Sequence, residues 1–396
     1  MRSLCLLPTL LALALLGCDG PAVTASGPAV TTVPEPMPSV EVRPIEGWAA
    51  WAPSLPDHAT VVRLVADRCD VFGGLGAVRG RVCAPSAQAF VGGATVTLRG
   101  QGCDGSEWQA ETTADAHGDW RVDDVPCGVQ AVTTEKGSFA SESVVTVVGG
   151  QLSDTRGASE KQCFQASATR IAVLGGEWDD LETLVADLGL DFDFFSEGSG
   201  EPTDETIVGL LSDPVRLAGY DIVFAGCGHA VGRMAIDHPE VMANVREFVL
   251  GGGSLYLSDY AWTLGESAFP KAVEWANSDD PTTMGRLDVS PQQIPSGLTV
   301  MATVADPDLA AYLGKGKLPI TFEEGPQIAP VSVAAGGTAH VVADLVTPSL
   351  AIRAAPIALS YVPAPGAGRV VYTNFHNDAQ ATGDILGVIR YLVFML

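Results

Sequence analysis

Arg170-Ile-Ala-Val-Leu-Gly-Gly176, Tyr220-Asp-Ile-Val-Phe-Ala-Gly-Cys-Gly228 and Ser254-Leu-Tyr-Leu-Ser-Asp-Tyr260 decide the fold of this 396-residue chain. Each is a short apolar run that ends in a turn. Between the first two, Leu181, Leu184, Val185 and Leu188 recur at helical spacing behind Asp179 and Asp180. Between the last two, a helix opening near Asp237 and Pro239 carries Val241, Val245, Phe248 and Val249, and stops at Gly251-Gly252-Gly253. Continuous apolar strands that alternate with amphipathic helices predict a mainly parallel sheet covered on both faces. Ligands of such sheets bind at the carboxyl ends of the strands, so Gly175, Gly226, Cys227, Gly228, Asp259 and Tyr260 outline the expected pocket.

Downstream, Trp262, Phe269 and Trp275 continue the helical packing, and residues 282–362 read as less regular, with short β-like segments. Order returns with Ala355-Pro-Ile-Ala-Leu-Ser-Tyr361, Gly368-Arg-Val-Val-Tyr-Thr373 and a closing helix over 384–394.

Upstream, Val78 to Val148 alternates apolar and polar residues in short runs broken by turns, the pattern of an antiparallel β-sandwich. Its features run in the order Gly80-Arg-Val82, Gly93-Ala-Thr-Val96, Thr112-Thr-Ala-Asp-Ala-His-Gly-Asp-Trp120 and Val125-Pro-Cys-Gly128. That order resembles the carboxypeptidase regulatory-like domain, which implies hairpin turns at Asp115–Gly118 and Pro126–Gly128 and a spacer or adhesive role. Asp115, His117 and Asp119 could be read as calcium or zinc ligands, but the turn accounts for Asp115 and Gly118 without a metal.

The N-terminus gives an address. Met1-Arg2 precedes an apolar run from Leu4 to Leu16 that is too short to span a bilayer and reads as an export signal. It closes with Leu15-Leu-Gly-Cys18, which resembles the bacterial lipobox and implies lipidation of Cys18. The expected organisation is a signal peptide at 1–17, a Pro- and Ala-rich disordered tether at 18–50, a β-sandwich at 51–155 and an α/β domain at 165–396. The lipid would anchor the protein to the cell envelope, the outer membrane favoured over the inner one.

Acidic residues outnumber basic ones by 47 to 22, a net charge of −25. No basic face is available to neutralise phosphates, which argues against a nucleic-acid partner. Past the signal and Cys18, six cysteines remain (Cys69, Cys83, Cys103, Cys127, Cys163 and Cys227), as expected of a disulfide-forming exported protein. Cys103 and Cys127 are the favoured pair because both lie near loops of one small domain. No cysteine or histidine spacing points to zinc, no Walker motif is present (Gly314-Lys-Gly-Lys317 lacks its spacing), and no cofactor is implied.

Tyr220-Asp-Ile-Val-Phe, Val245-Arg-Glu-Phe-Val-Leu-Gly-Gly-Gly-Ser-Leu255 and Gly368-Arg-Val-Val-Tyr-Thr-Asn-Phe-His376 resemble the class I glutamine amidotransferase-like fold, in particular its trehalose-utilisation (ThuA-like) branch. The whole arrangement is similar to that of myxobacterial-type lipoproteins. The resemblance implies a flavodoxin-like α/β sheet, a nucleophile slot at Ser258 and a late histidine–carboxylate pair at His376 and Asp378. A serine, a histidine base and a carboxylate suffice for acyl transfer, and amides near Gly226 to Gly228 could stabilise an oxyanion. The family's cysteine is absent from that slot, and Cys227 stands in the glycine loop instead. Our reading is therefore a lipoprotein that presents an inactive amidotransferase-like domain to a protein or glycan partner. The alternatives are a serine hydrolase using Ser258, His376 and Asp378, and a saccharide-binding module with Tyr260, Trp262 and Phe375 stacked on sugar rings.

Overall fold

The computed structural model describes residues 74–157, 162–198, 203, 205–283, 290–323, 327–376 and 382–396. Cys18, the tether, Cys69 and Asp378 lie outside the described residues, so the readings placed on them are not addressed below.

Among the described residues seven strands come first: β1 Leu75–Arg81, β2 Thr95–Gln101, β3 Glu107–Thr113, β4 Asp119–Pro126, β5 Gly128–Lys136, β6 Phe139–Val147 and β7 Leu152–Asp154. They form two sheets, ordered β4-β1-β7 and β3-β2-β5-β6. Alternate residues such as Val78, Val96, Leu98, Trp120 and Val132 are buried between them, which is the sandwich that the period-2 pattern predicts. The Asp115 carboxylate accepts from the amides of His117 and Asp119 at 2.8 and 3.0 Å, and Asp119 takes both 2.7 Å bonds from the Arg81 guanidinium. A turn and an ion pair therefore occupy these carboxylates.

Eleven strands follow: β8 Ile171–Leu174, β9 Asp193–Phe195, β10 Ile222–Ala225, β11 Ser254–Ser258, β12 Val273–Trp275, β13 Thr299–Val304, β14 Lys317–Thr321, β15 Pro330–Val333, β16 Thr338–Val346, β17 Ala351–Tyr361 and β18 Val370–Thr373. Nine of them make one sheet in the order β14-β13-β16-β17-β18-β11-β10-β8-β9, and β12 pairs with β15 apart from it. Neighbours from β9 through β18 are parallel, whereas those from β18 through β14 are antiparallel.

The sheet is thus mixed, and the expectation of a mainly parallel one is corrected. The region read as irregular supplies an ordered antiparallel half. Its ladder slips register at Ala339/Val341, Val341/Val342 and Ala343/Leu345. Each slip breaks the two-residue alternation by which a strand is recognised.

Strands β8, β10, β11 and β18 are buried on both faces. Ala172, Leu174, Val223, Leu255 and Leu257 pack with Val245, Phe248 and Val249 of helix Met242–Leu250. The opposite side, with Ile171, Val173, Phe224 and Tyr256, meets helix Gly383–Val393 and joins the core of the sandwich. Phe139 of β6 lies 4.9 Å from Phe394 and 5.9 Å from Phe164, ring centre to ring centre. Sandwich and mixed sheet therefore share one apolar core.

A disulfide joins Cys83, just past β1, to Cys163, just before β8. The sulfurs of Cys103 and Cys127, the pair favoured above, stand 3.9 Å apart. Among the described residues no helix is long and apolar enough to cross a membrane.

Candidate functional site

The carboxyl ends of β10, β11 and β18 converge on three buried side chains: Cys227, Asp259 and His376. The sulfur of Cys227 donates to Asp259 Oδ2 at 3.3 Å, and His376 Nε2 lies 3.0 Å from the same oxygen. Asp259 is fully buried and His376 is 2% exposed. Burial pushes the Asp259 carboxyl above its ordinary range, and the bond from His376 recovers only part of the shift. Burial likewise drives the Cys227 thiol far up, and the Asp259 and Asp179 carboxylates push it further. At neutral pH this sulfur is a thiol, not a thiolate nucleophile.

Asp259 is the residue on which the strand turns into a helix. It has φ +41°, opens the helical turn Asp259–Ala261 and leads to helix Trp262–Ala268. A strand-to-helix turn at a residue of positive φ has the geometry of a nucleophile elbow, here with a carboxylate at its tip. Bulky Asp259 and Tyr260 are accommodated because the clearance comes from a neighbour: a Cβ on Gly232 would sit 2.3 Å from the Tyr260 ring.

The expected meeting of Ser258 with His376 is replaced by one a residue later. Ser258 is 1% exposed and pairs with Thr373 across the β11–β18 ladder. On a strand its side chain shares a face with Tyr256, whose hydroxyl bonds Thr373 at 2.8 Å. Ser258 makes no capping bond to the helical turn that follows.

Gly175, Gly226, Cys227, Gly228, Asp259 and Tyr260 do come together, but backbone fills the space between them. A Cβ on Gly176 would lie 2.4 Å from the Cys227 carbonyl oxygen. Of the amides expected to cradle an oxyanion, Gly226 bonds the Leu174 carbonyl and Cys227 bonds Asp179. Nor do the proposed stacking residues face solvent, since Tyr260 is 6% exposed and Trp262 and Phe375 are fully buried.

Two features escaped the sequence. One is a second buried chain in the antiparallel half, where His340 Nδ1 lies 2.6 Å from Asp306 and Nε2 2.9 Å from Ser360 Oγ. It has the order of a catalytic triad, but Ser360 is fully buried near the end of β17, paired on both sides by β16 and β18, with no elbow. Arg369 also donates to Ser360, so the chain reads as a satisfied polar core. The other is a cleft of about 570 Å³ between the sandwich and the sheet, lined by Asp115, Lys136, Asp308, Arg369 and Tyr391 among others. No spacing in the sequence marks either, because their members come from elements far apart in the chain.

Glu266, on the helix that follows the elbow, gives the region a pH signature. Burial raises its carboxyl to about 7, although it accepts bonds from the Lys271 amide and Trp275 Nε1. The folded value lies above the ordinary 4.5, so its contribution to stability is complete below pH 4.5 and disappears as pH rises through 7. We expect denaturation midpoints to fall across this interval, and Glu266→Gln, which cannot ionise, to flatten that slope. An unchanged slope in the variant would assign the effect elsewhere.

No family profile matches the chain, and no curated protein matches it. Among solved structures, a candidate carbohydrate binding protein of Pseudomonas aeruginosa is 16% identical over 26% of this chain and 98% of its own, with a TM-score of 0.17. The Bacillus anthracis TIE protein is 11% identical over 26% of this chain, which spans only 19% of that protein's length, also with a TM-score of 0.17.

Proposed function

We propose that this protein is a cell-envelope lipoprotein, anchored through Cys18, whose sheet domain is an amidotransferase-like module without acyl-transfer activity. It would present its surface to a protein or glycan partner. One observation carries the reading: the elbow residue after β11 is Asp259, and its carboxylate, not a serine or cysteine, meets His376. A carboxylate is a poor attacking group on an ester or amide, and the adjoining thiol holds its proton. The parallel run β9-β8-β10-β11-β18, with helices on its faces, supports the amidotransferase-like assignment. The mixed charges of the 570 Å³ cleft suit a polar ligand such as a saccharide or peptide segment.

The test is turnover. Purified protein should hydrolyse neither activated esters nor glutamine above the buffer rate, and Ser258→Ala should behave identically. Turnover that disappears in Ser258→Ala would establish the serine hydrolase instead.

A further inference from the structure

The three side chains at the strand ends suit a ligand other than an acyl group. We propose that Cys227 Sγ, the Asp259 carboxylate and His376 Nε2 bind one divalent transition-metal ion, zinc in the first instance, which ties together the carboxyl ends of β10, β11 and β18.

The donor set is one sulfur, one imidazole nitrogen and one carboxylate, all ligands zinc accepts and together unsuited to calcium or magnesium. Their spacing is already close to what the ion requires. Zinc bond lengths and a tetrahedral angle put neighbouring donor atoms about 3.3 to 3.6 Å apart. Here the sulfur–oxygen and nitrogen–oxygen separations are 3.3 and 3.0 Å, and all three atoms lie within 4.8 Å of one another.

A second, independent observation points the same way. Both contacts fall on Asp259 Oδ2, and Oδ1 is buried with no hydrogen-bond partner. An orphaned carboxylate oxygen inside a protein is costly, and a cation beside it removes that cost. Charge balances as well: thiolate, carboxylate and neutral imidazole bring two negative charges to a doubly positive ion. Binding releases the Cys227 proton and, where the ring is charged, one imidazole proton to solvent, leaving the ring proton on Nδ1.

The surroundings hold the sulfur in place. The Cys227 amide donates to Asp179 at 3.0 Å, and its carbonyl accepts from the Trp178 amide at 3.0 Å. Support of this kind around a ligand is characteristic of metal sites. Cys227 is also the free thiol among the described cysteines.

Full-length protein, produced with zinc in the medium and dialysed against metal-free buffer, would be submitted to elemental analysis. We expect one zinc per chain, lost in Cys227→Ser and in His376→Gln. Because either variant could fold poorly, wild-type protein refolded with cobalt gives a second readout: a near-ultraviolet thiolate-to-cobalt charge-transfer band. The melting temperature of the metal-free protein should rise with zinc and not with magnesium. Wild-type protein that holds no zinc and shows no cobalt–thiolate band would overturn the proposal. So would zinc retained equally by both folded variants, which would place the ion elsewhere on the surface.

Discussion

Trp262→Ala should destabilise the fold by about 3–5 kcal/mol, the range for deleting a fully buried large aromatic residue. Trp262 has no solvent exposure, and its ring centre lies 4.9 Å from that of Trp275, which lies 5.2 Å from that of Tyr372 on β18. The three rings link the helix after the elbow to the strand that delivers His376. Removing the first leaves a void that neighbouring rings cannot fill without leaving their rotamers. Trp262→Phe separates packing from polarity. The indole N–H is buried without a partner, so phenylalanine keeps much of the bulk and discards an unsatisfied donor. It should cost clearly less than alanine. Urea denaturation of both variants measures this, and a loss under about 1 kcal/mol for Trp262→Ala would be a surface effect, incompatible with a core position.

The second large effect is expected from the Cys83–Cys163 bridge. Its cysteines are separated by 80 positions, so it closes a long loop in the unfolded chain. The chain-entropy relation gives about 4–5 kcal/mol for a loop of that length, within the range seen when native disulfides are removed. The bridge fastens the sandwich to the strand that starts the large sheet. Beside it the Phe164 amide bonds the Cys83 carbonyl at 2.9 Å and the Phe164 ring joins the shared aromatic cluster. A Cys83→Ser, Cys163→Ser double variant should retain these contacts yet unfold at markedly lower denaturant. Equal midpoints for variant and wild type would mean that packing alone fixes the junction.

Which parts of this could be read beforehand follows from what each depends on. Strands β8, β10 and β11 were legible because burial on both faces requires unbroken apolar runs, and β18 because Val370-Val371-Tyr372 obeys the same rule. The sandwich was legible through alternation. Strand β16 and the start of β17 were not, because bulges shift the register between them. At the site, the rule that function follows strand ends led to the right neighbourhood, and Asp259 was among the residues expected there. The family resemblance placed a nucleophile slot at Ser258, whereas the positive φ that makes Asp259 the elbow is a property of the backbone. The meeting of Cys227, Asp259 and His376 bridges 32 and 117 positions, which no local spacing reveals.

The order of the nine-stranded sheet also bears on how the protein behaves in crowded surroundings. A long ladder ends in two edges, each with unpaired amides and carbonyls that can recruit a foreign strand and seed aggregation. Here one edge, β14, opens with Lys317 and carries an exposed proline, Pro319, at its centre. The other, β9, is three residues long and starts with Asp193. Just beyond it, Ser196 bonds the chain at Glu205 and Ile207, so the polypeptide folds back over its own border. Charge, proline and brevity blunt both margins and disfavour the fusion of sheets from neighbouring molecules edge to edge.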